Sequence, residues 1–131
     1  MTMQSFAAVG VGAAIGAWLR WGLGALLNPL FPTLPLGTLA ANLLGGFLMG
    51  LAMALFDQYQ ALAPELRLFV ATGFLGGLTT FSTFSAETAT LVTRGELGWS
   101  AAIVAAHVAG SVALTLAGMA LAQVALGGRL R

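Results

Sequence analysis

Residues 73–85 read GFLGGLTTFSTFS and lie within a run that carries no charge from Leu68 to Ala86. An apolar run of this length suits a helix crossing about 30 Å of hydrocarbon, which takes about 20 residues. The quoted stretch is nonetheless poor helix. Gly76 and Gly77, followed by Thr79 and Thr80, should interrupt the backbone ladder near mid-membrane, with the helix resuming around Phe81 and running past Glu87 to Thr93. Irregular backbone at that depth is tolerated only where protein buries it or where it lines a cavity. One segment therefore predicts a helical membrane fold and a polar site inside it.

Three further runs complete an all-α membrane protein of four spans. Span 1 covers about residues 5–27 and holds one charge, Arg20; it stops at Asn28 and Pro29, and Pro32 and Pro35 keep the connection non-helical. Span 2 covers about 36–56, is uncharged and closes at Asp57. Span 3 covers about 68–93, after a short polar loop containing Pro64, Glu65 and Arg67. Span 4 covers about 99–126, with His107 as its only ionisable side chain, and Arg129 and Arg131 end the sequence. Residues 1–131 read as a single transmembrane domain with no room for a soluble catalytic module. The first run is about twice the length of a signal-peptide core and has no basic segment before it, so it is expected to be a retained span.

Composition agrees with lipid as the solvent. Of 131 residues, 59% are hydrophobic and 7% charged, against roughly 25% charged in an average soluble domain. There is no cysteine, which removes disulfides, thiolate metal sites and cysteine nucleophiles. A net charge of +1 points to no nucleic-acid partner. Four spans put both termini on one side, together with Arg67, Arg129 and Arg131; the other side has Arg94, with Arg20 near that end of span 1. So weak a bias permits insertion in both orientations, and hence an antiparallel pair of identical subunits.

Small residues mark the packed faces. Gly12, Gly16, Arg20 and Gly24 recur every four residues in span 1, as do Thr38, Asn42, Gly46 and Gly50 in span 2. Such stripes let helices approach closely where no hydrophobic force drives association, and they turn Arg20 and Asn42 toward protein.

The membrane-embedded chemistry is polar but uncharged. His107 and Glu87 lie in different spans without an obvious partner, so no acid–base pair, ligand cluster or activated nucleophile supports an enzyme. What remains is Asn42, Thr79, Thr80, Ser82, Thr83, Ser85, His107, Ser111 and Thr115, of which the last three step along one face of span 4. Cation pathways carry rings of Asp or Glu, whereas neutral donors suit an anion. The Asn42 amide and the hydroxyls can donate to an anion stripped of water. Phe81 and Phe84, three residues apart, share a helix face, and aromatic ring edges are positive. Carbonyls freed around Gly76 and Thr79 suit a small hard cation such as sodium, while the helix start after Thr80 favours negative charge.

Each feature also has a plainer use. The two phenylalanines can be packing residues, Asn42 a hydrogen-bonded link between helices, and the glycine pair a hinge. Arg20 reads as a structural anchor satisfying carbonyls, His107 as a packing histidine or a proton relay, and Glu87 as an interfacial charge.

GFLGGLTTFSTFS in span 3, GTLAANLLGG at 37–46 and GAAIGAWLRW at 12–21 together resemble the Fluc (CrcB-type) fluoride channels of bacteria, across almost the whole chain. The resemblance implies passive fluoride export through the bacterial inner membrane by an antiparallel, dual-topology homodimer with two pores. It also implies a structural sodium ion at the dimer centre, held by the carbonyls of Gly76 and Thr79 from both copies. Phe81, Phe84 and Asn42 would line the pore, with Ser82, Thr83 and Ser111 in a polar track, Glu87 at a pore mouth and Arg20 as the structural arginine. His107 stands in the track where members of this family often carry tyrosine.

Two other functions stay open at this stage. A small dual-topology, proton-coupled multidrug exporter needs a carboxylate deep in the membrane; spans 1 and 2 contain none, and Glu87 would serve only if it lay deeper than its place in span 3 suggests. A structural subunit docking through its glycine-rich faces would conduct nothing.

Overall fold

The computed structural model describes residues 1–127 and is all-helical there. Its elements are α1 (Met3–Leu27), a 3₁₀ turn (Asn28–Leu30), α2 (Leu36–Gln58), α3 (Pro64–Arg67), a π-helical stretch (Leu68–Leu75), α4 (Gly76–Leu78), α5 (Phe81–Thr93) and α6 (Leu97–Ala125). Four helical segments are long and apolar enough to cross a membrane: Met3–Leu30, Leu36–Gln58, Pro64–Thr93 and Leu97–Ala125. Arg129 and Arg131, used above in counting positive charge, lie outside the described residues.

Several helix ends are satisfied by a nearby polar group. The Thr2 hydroxyl accepts from the Ser5 amide at 3.0 Å and caps α1. Pro35 has no side-chain cap to offer α2, so Asn28 supplies one from the preceding connection. Its Oδ1 accepts from the Gly37 and Thr38 amides at 2.8 and 3.1 Å. At the other end of α2, the Arg67 guanidinium donates to the Phe56 and Tyr59 carbonyls, 3.0 Å each, and lies 5.1 Å over the Phe56 ring. Pro64 opens α3 where its missing N–H costs nothing. Gly95, at φ 74°, makes the turn into α6; the amides of Gly95 and Glu96 return to the Val92 and Leu91 carbonyls, closing α5 in a left-handed cap.

Packing rests on backbone contact. A Cβ on Gly50 would land on the Thr115 carbonyl, one on Gly118 on the Phe47 carbonyl, and one on Gly46 would lie 2.9 Å from the Ser111 carbonyl. Glycine thus brings α2 and α6 to van der Waals contact along their length. In the same way, Gly12 and Gly16 seat α1 against the carbonyls of Phe69 and Phe74 in the third span, and Gly77 seats against Ala13. The fully buried large side chains are few, Leu75, Leu78 and Ile103. Large apolar side chains instead face outward, as along α1 at Val11, Ile15, Trp18 and Leu19. That outward face suits acyl chains.

The third span departs from the sequence reading in two respects. From Leu68 it is π-helical, with the Gly76 amide reaching back to the Ala71 carbonyl. The wider turn docks against the glycine face of α1 and carries no local sequence signature. Gly76 and Gly77 remain helical, and the extended residues are Thr79 (φ −85°, ψ 156°) and Thr80 (φ −149°, ψ 119°).

These contacts set a contrast between glycines. Gly50→Val should force α2 from α6 at a cost of about 1–3 kcal/mol or more. Gly10→Ala, whose Cβ meets nothing within 4 Å, should be neutral or stabilising by up to about 1 kcal/mol. Thermal unfolding of both variants in detergent checks this; equal melting temperatures would contradict the packing.

Candidate functional site

Two consecutive extended residues remove a helix's own partners from the Thr80 backbone. Asn42, on α2, replaces them: its Oδ1 accepts from the Thr80 amide at 2.7 Å, and its Nδ2 donates to the Thr80 carbonyl at 2.9 Å. A single carboxamide so pairs with both polar groups of one peptide residue. Gly45 makes room alongside, since a Cβ there would land on the Thr79 methyl group. Thr79 closes α4, its amide and hydroxyl both returning to the Leu75 carbonyl at 3.0 and 2.9 Å. Thr80 opens α5, its hydroxyl accepting from the Thr83 amide at 3.1 Å and donating to the Thr83 hydroxyl at 3.0 Å. Ser82 is exposed, with its hydroxyl 3.3 Å from that of Thr80.

Arg20 reaches the same junction from α1, donating through Nε to the Gly77 carbonyl at 3.0 Å. The carbonyls of Gly76 and Thr79 flank the junction. Because the Thr80 amide turns to Asn42, it does not close a bond to the Gly76 carbonyl, and Gly76 is exposed. Among the described residues no cluster of three His, Cys, Asp or Glu exists to hold a metal. A cation here would depend on these carbonyl oxygens.

The aromatic pair lies just beyond the junction. Phe81 and Phe84 meet edge to face, with centroids 5.5 Å apart and planes at 64°. They differ in burial: Phe84 is 7% exposed and Phe81 78%. Phe84 also stacks on His107, at 4.7 Å and 30°. Asn42, Thr80, Phe81, Phe84, His107 and Ser111 line a cleft of about 330 Å³ that has no Asp, Glu, Lys or Arg in its wall.

Polar residues named from the sequence divide among several tasks. His107 is buried, with Nδ1 2.9 Å from the Asn42 amide nitrogen. Ser111 lines the cleft, but Thr115, the third step on that face, donates to the Gly46 and Ser111 carbonyls and so ties α6 to α2. The Asn42 amide hydrogens, expected to face an anion, point at the Thr80 carbonyl and His107. Thr83 joins two neighbouring clefts: one of about 230 Å³ with Arg20 and Thr38, and one of about 370 Å³ with Glu87, Arg94 and Glu96. Glu87 accepts from the Thr38 hydroxyl at 2.6 Å through Oε1, and its Oε2 is buried without a partner.

Asn28 and the Thr38–Glu87 pairing had no place among the sequence-derived site residues. The Asn28–Pro29 pair signals a helix stop but not which amides its side chain will reach. Thr38 and Glu87 are 49 residues apart, and only the fold brings them together.

A family model described as "CrcB-like protein, Camphor Resistance (CrcB)" matches residues 7–119. The fluoride-specific ion channel FluC of Nitrosospira multiformis is 59% identical over 119 residues, covering 91% of this chain and 93% of that protein. The protein of the same name from Aromatoleum aromaticum is 61% identical over 118 residues, 90% of each chain, and that from Pseudomonas putida is 55% identical over 118 residues, 90% of this chain and 93% of its own. With nearly the whole chain matched, both faces of the Asn42–Thr80 junction included, this multi-pass membrane protein belongs to the CrcB-like family.

Proposed function

We propose that the chain is a passive, fluoride-selective ion channel that exports fluoride from the cytoplasm through a bacterial inner membrane. The observation that carries this reading is the neutral cleft at the Thr79–Thr80 junction, where hydroxyls, a histidine and two edge-on phenyl rings meet with no full charge. Weak, closely spaced donors let a small anion enter without trapping it, which an arginine in the same place would do. Positive ring edges of Phe81 and Phe84 supply further contacts to a dehydrated anion. The names of the three relatives support fluoride as the ion.

The working unit is an antiparallel homodimer with two pores. In support, Phe81 is 78% exposed, and Gly76 and Ser82 beside it are exposed as well, so one copy leaves the aromatic pair open on one side. A second copy, related by a two-fold axis, presents the same residues in return. The break in the middle of the third span then sits at the dimer centre. The carbonyls of Gly76, which is exposed, and of Thr79 would be the groups to hold a structural sodium ion, a hard cation served by neutral oxygen donors. Bound there, it would supply positive charge to carbonyl oxygens that lack a helical partner. Ser82, Thr83, Ser111 and His107 continue the polar route, Glu87 stands at a mouth, and Arg20 fixes the Gly77 carbonyl beside the break.

Purified protein in liposomes should release fluoride rapidly and retain chloride, read with ion-selective electrodes; equal release of both, or of neither, rejects the channel. Phe81→Ile or Phe84→Ile should lower fluoride flux by about tenfold or more, a loss of about 1.4 kcal/mol or more at the barrier, while the dimer persists on size exclusion. Dissociation instead would make the rings packing residues. Asn42→Ala strands the Thr80 N–H and C=O, each at about 1–3 kcal/mol. Its melting temperature should fall along with its flux, and an unshifted melting curve would contradict the anchoring role.

A further inference from the structure

His107 is the only histidine in the chain and is 4% exposed. A ring that only packs against Phe84 needs no nitrogens, and phenylalanine would avoid burying them. Two observations say what the nitrogens do. The first is that the Asn42 carboxamide has a fixed orientation. Its oxygen must face the Thr80 N–H and its nitrogen the Thr80 C=O, because both bonds are made at once, at 2.7 and 2.9 Å. The Asn42 nitrogen, which carries only hydrogens, is then the atom 2.9 Å from His107 Nδ1. A donor on one side requires an acceptor on the other, so Nδ1 is bare and the neutral ring carries its proton on Nε2.

The second observation concerns that other nitrogen. His107 Nε2 is buried without a hydrogen-bond partner. A buried N–H left unpaired is costly, and the alternative tautomer would set an N–H against the Asn42 amide. The ring therefore keeps the arrangement that serves Asn42.

We infer that His107 is a positioning residue: its bare Nδ1 locks the Asn42 carboxamide onto the Thr80 backbone while its ring face backs Phe84. This chain of contacts runs from α6 through α2 to the broken span, and it sets two of the groups that line the cleft. The role in conduction rests on the channel reading above; the tautomer does not.

The test has two arms. Protein labelled with nitrogen-15 in its single histidine is reconstituted in liposomes and observed by solid-state NMR. A bare Nδ1 with a protonated Nε2 is expected, and a protonated Nδ1, in either the neutral or the cationic ring, overturns the inference. In the second arm, His107→Phe keeps a stacking ring and loses the acceptor, whereas the amide oxygen of His107→Asn reaches the place of Nδ1. Fluoride flux should fall about tenfold in His107→Phe and fall less in His107→Asn, which keeps an acceptor for the Asn42 amide but gives up the ring behind Phe84. Equal flux in His107→Phe and the unaltered protein, or equal loss in both variants, overturns the inference. Should His107→Phe fail to assemble, the nitrogen spectrum of the unaltered protein decides alone. If the unaltered protein conducts no fluoride, the channel reading fails, while the spectrum still judges the lock.

Discussion

A backbone that stops being helical inside hydrocarbon must find other partners for its polar groups, at a cost of several kcal/mol for each left unpaired. Here the Asn42 carboxamide meets that demand for Thr80, accepting from its N–H and donating to its C=O. Much of the local structure serves this one pairing. Gly45 admits the Thr79 side chain beside α2, and Gly46, Gly50 and Gly118 bring α6 close enough for His107 to reach Asn42. Arg20 takes the Gly77 carbonyl, and the Thr80 hydroxyl caps the helix that follows.

The interrupted span yields an unusual surface for a membrane interior, with hydroxyls, an amide, an imidazole and two phenyl rings gathered without a formal charge. The Asn42 amide and the Thr79 and Thr80 hydroxyls are turned to protein partners, so what the surface offers an anion is polarity without the firm hold of a guanidinium. The phenyl pair is lopsided, with Phe84 held between His107 and Phe81, and Phe81 free on its outer side. A single copy therefore leaves the outer side of Phe81 uncovered.

Stability follows a membrane logic. The few large buried side chains cannot build a conventional core, and the helices are joined instead by glycine-mediated backbone contact and by polar links such as Thr115 to Gly46. The same economy of side chains leaves the π-helical stretch in contact with α1, where Gly12, Gly16 and Gly77 let irregular backbone pack without strain from Cβ atoms.

From the sequence alone, an all-helical chain with four segments long and apolar enough to cross a membrane was legible, because hydropathy acts locally. The small-residue stripes likewise announced which faces would pack. Only the tertiary structure decided what each polar side chain does there. Asn42 spends its amide on Thr80 and His107 and Thr115 ties two helices, while Thr38 meets Glu87 from 49 residues away. The π-helical turn and the Asn28 cap belong to the same class. A periodic pattern reports which face a residue occupies. Its hydrogen-bond partner is set by the approach of another helix, and that distance is written in backbone contacts no local pattern contains.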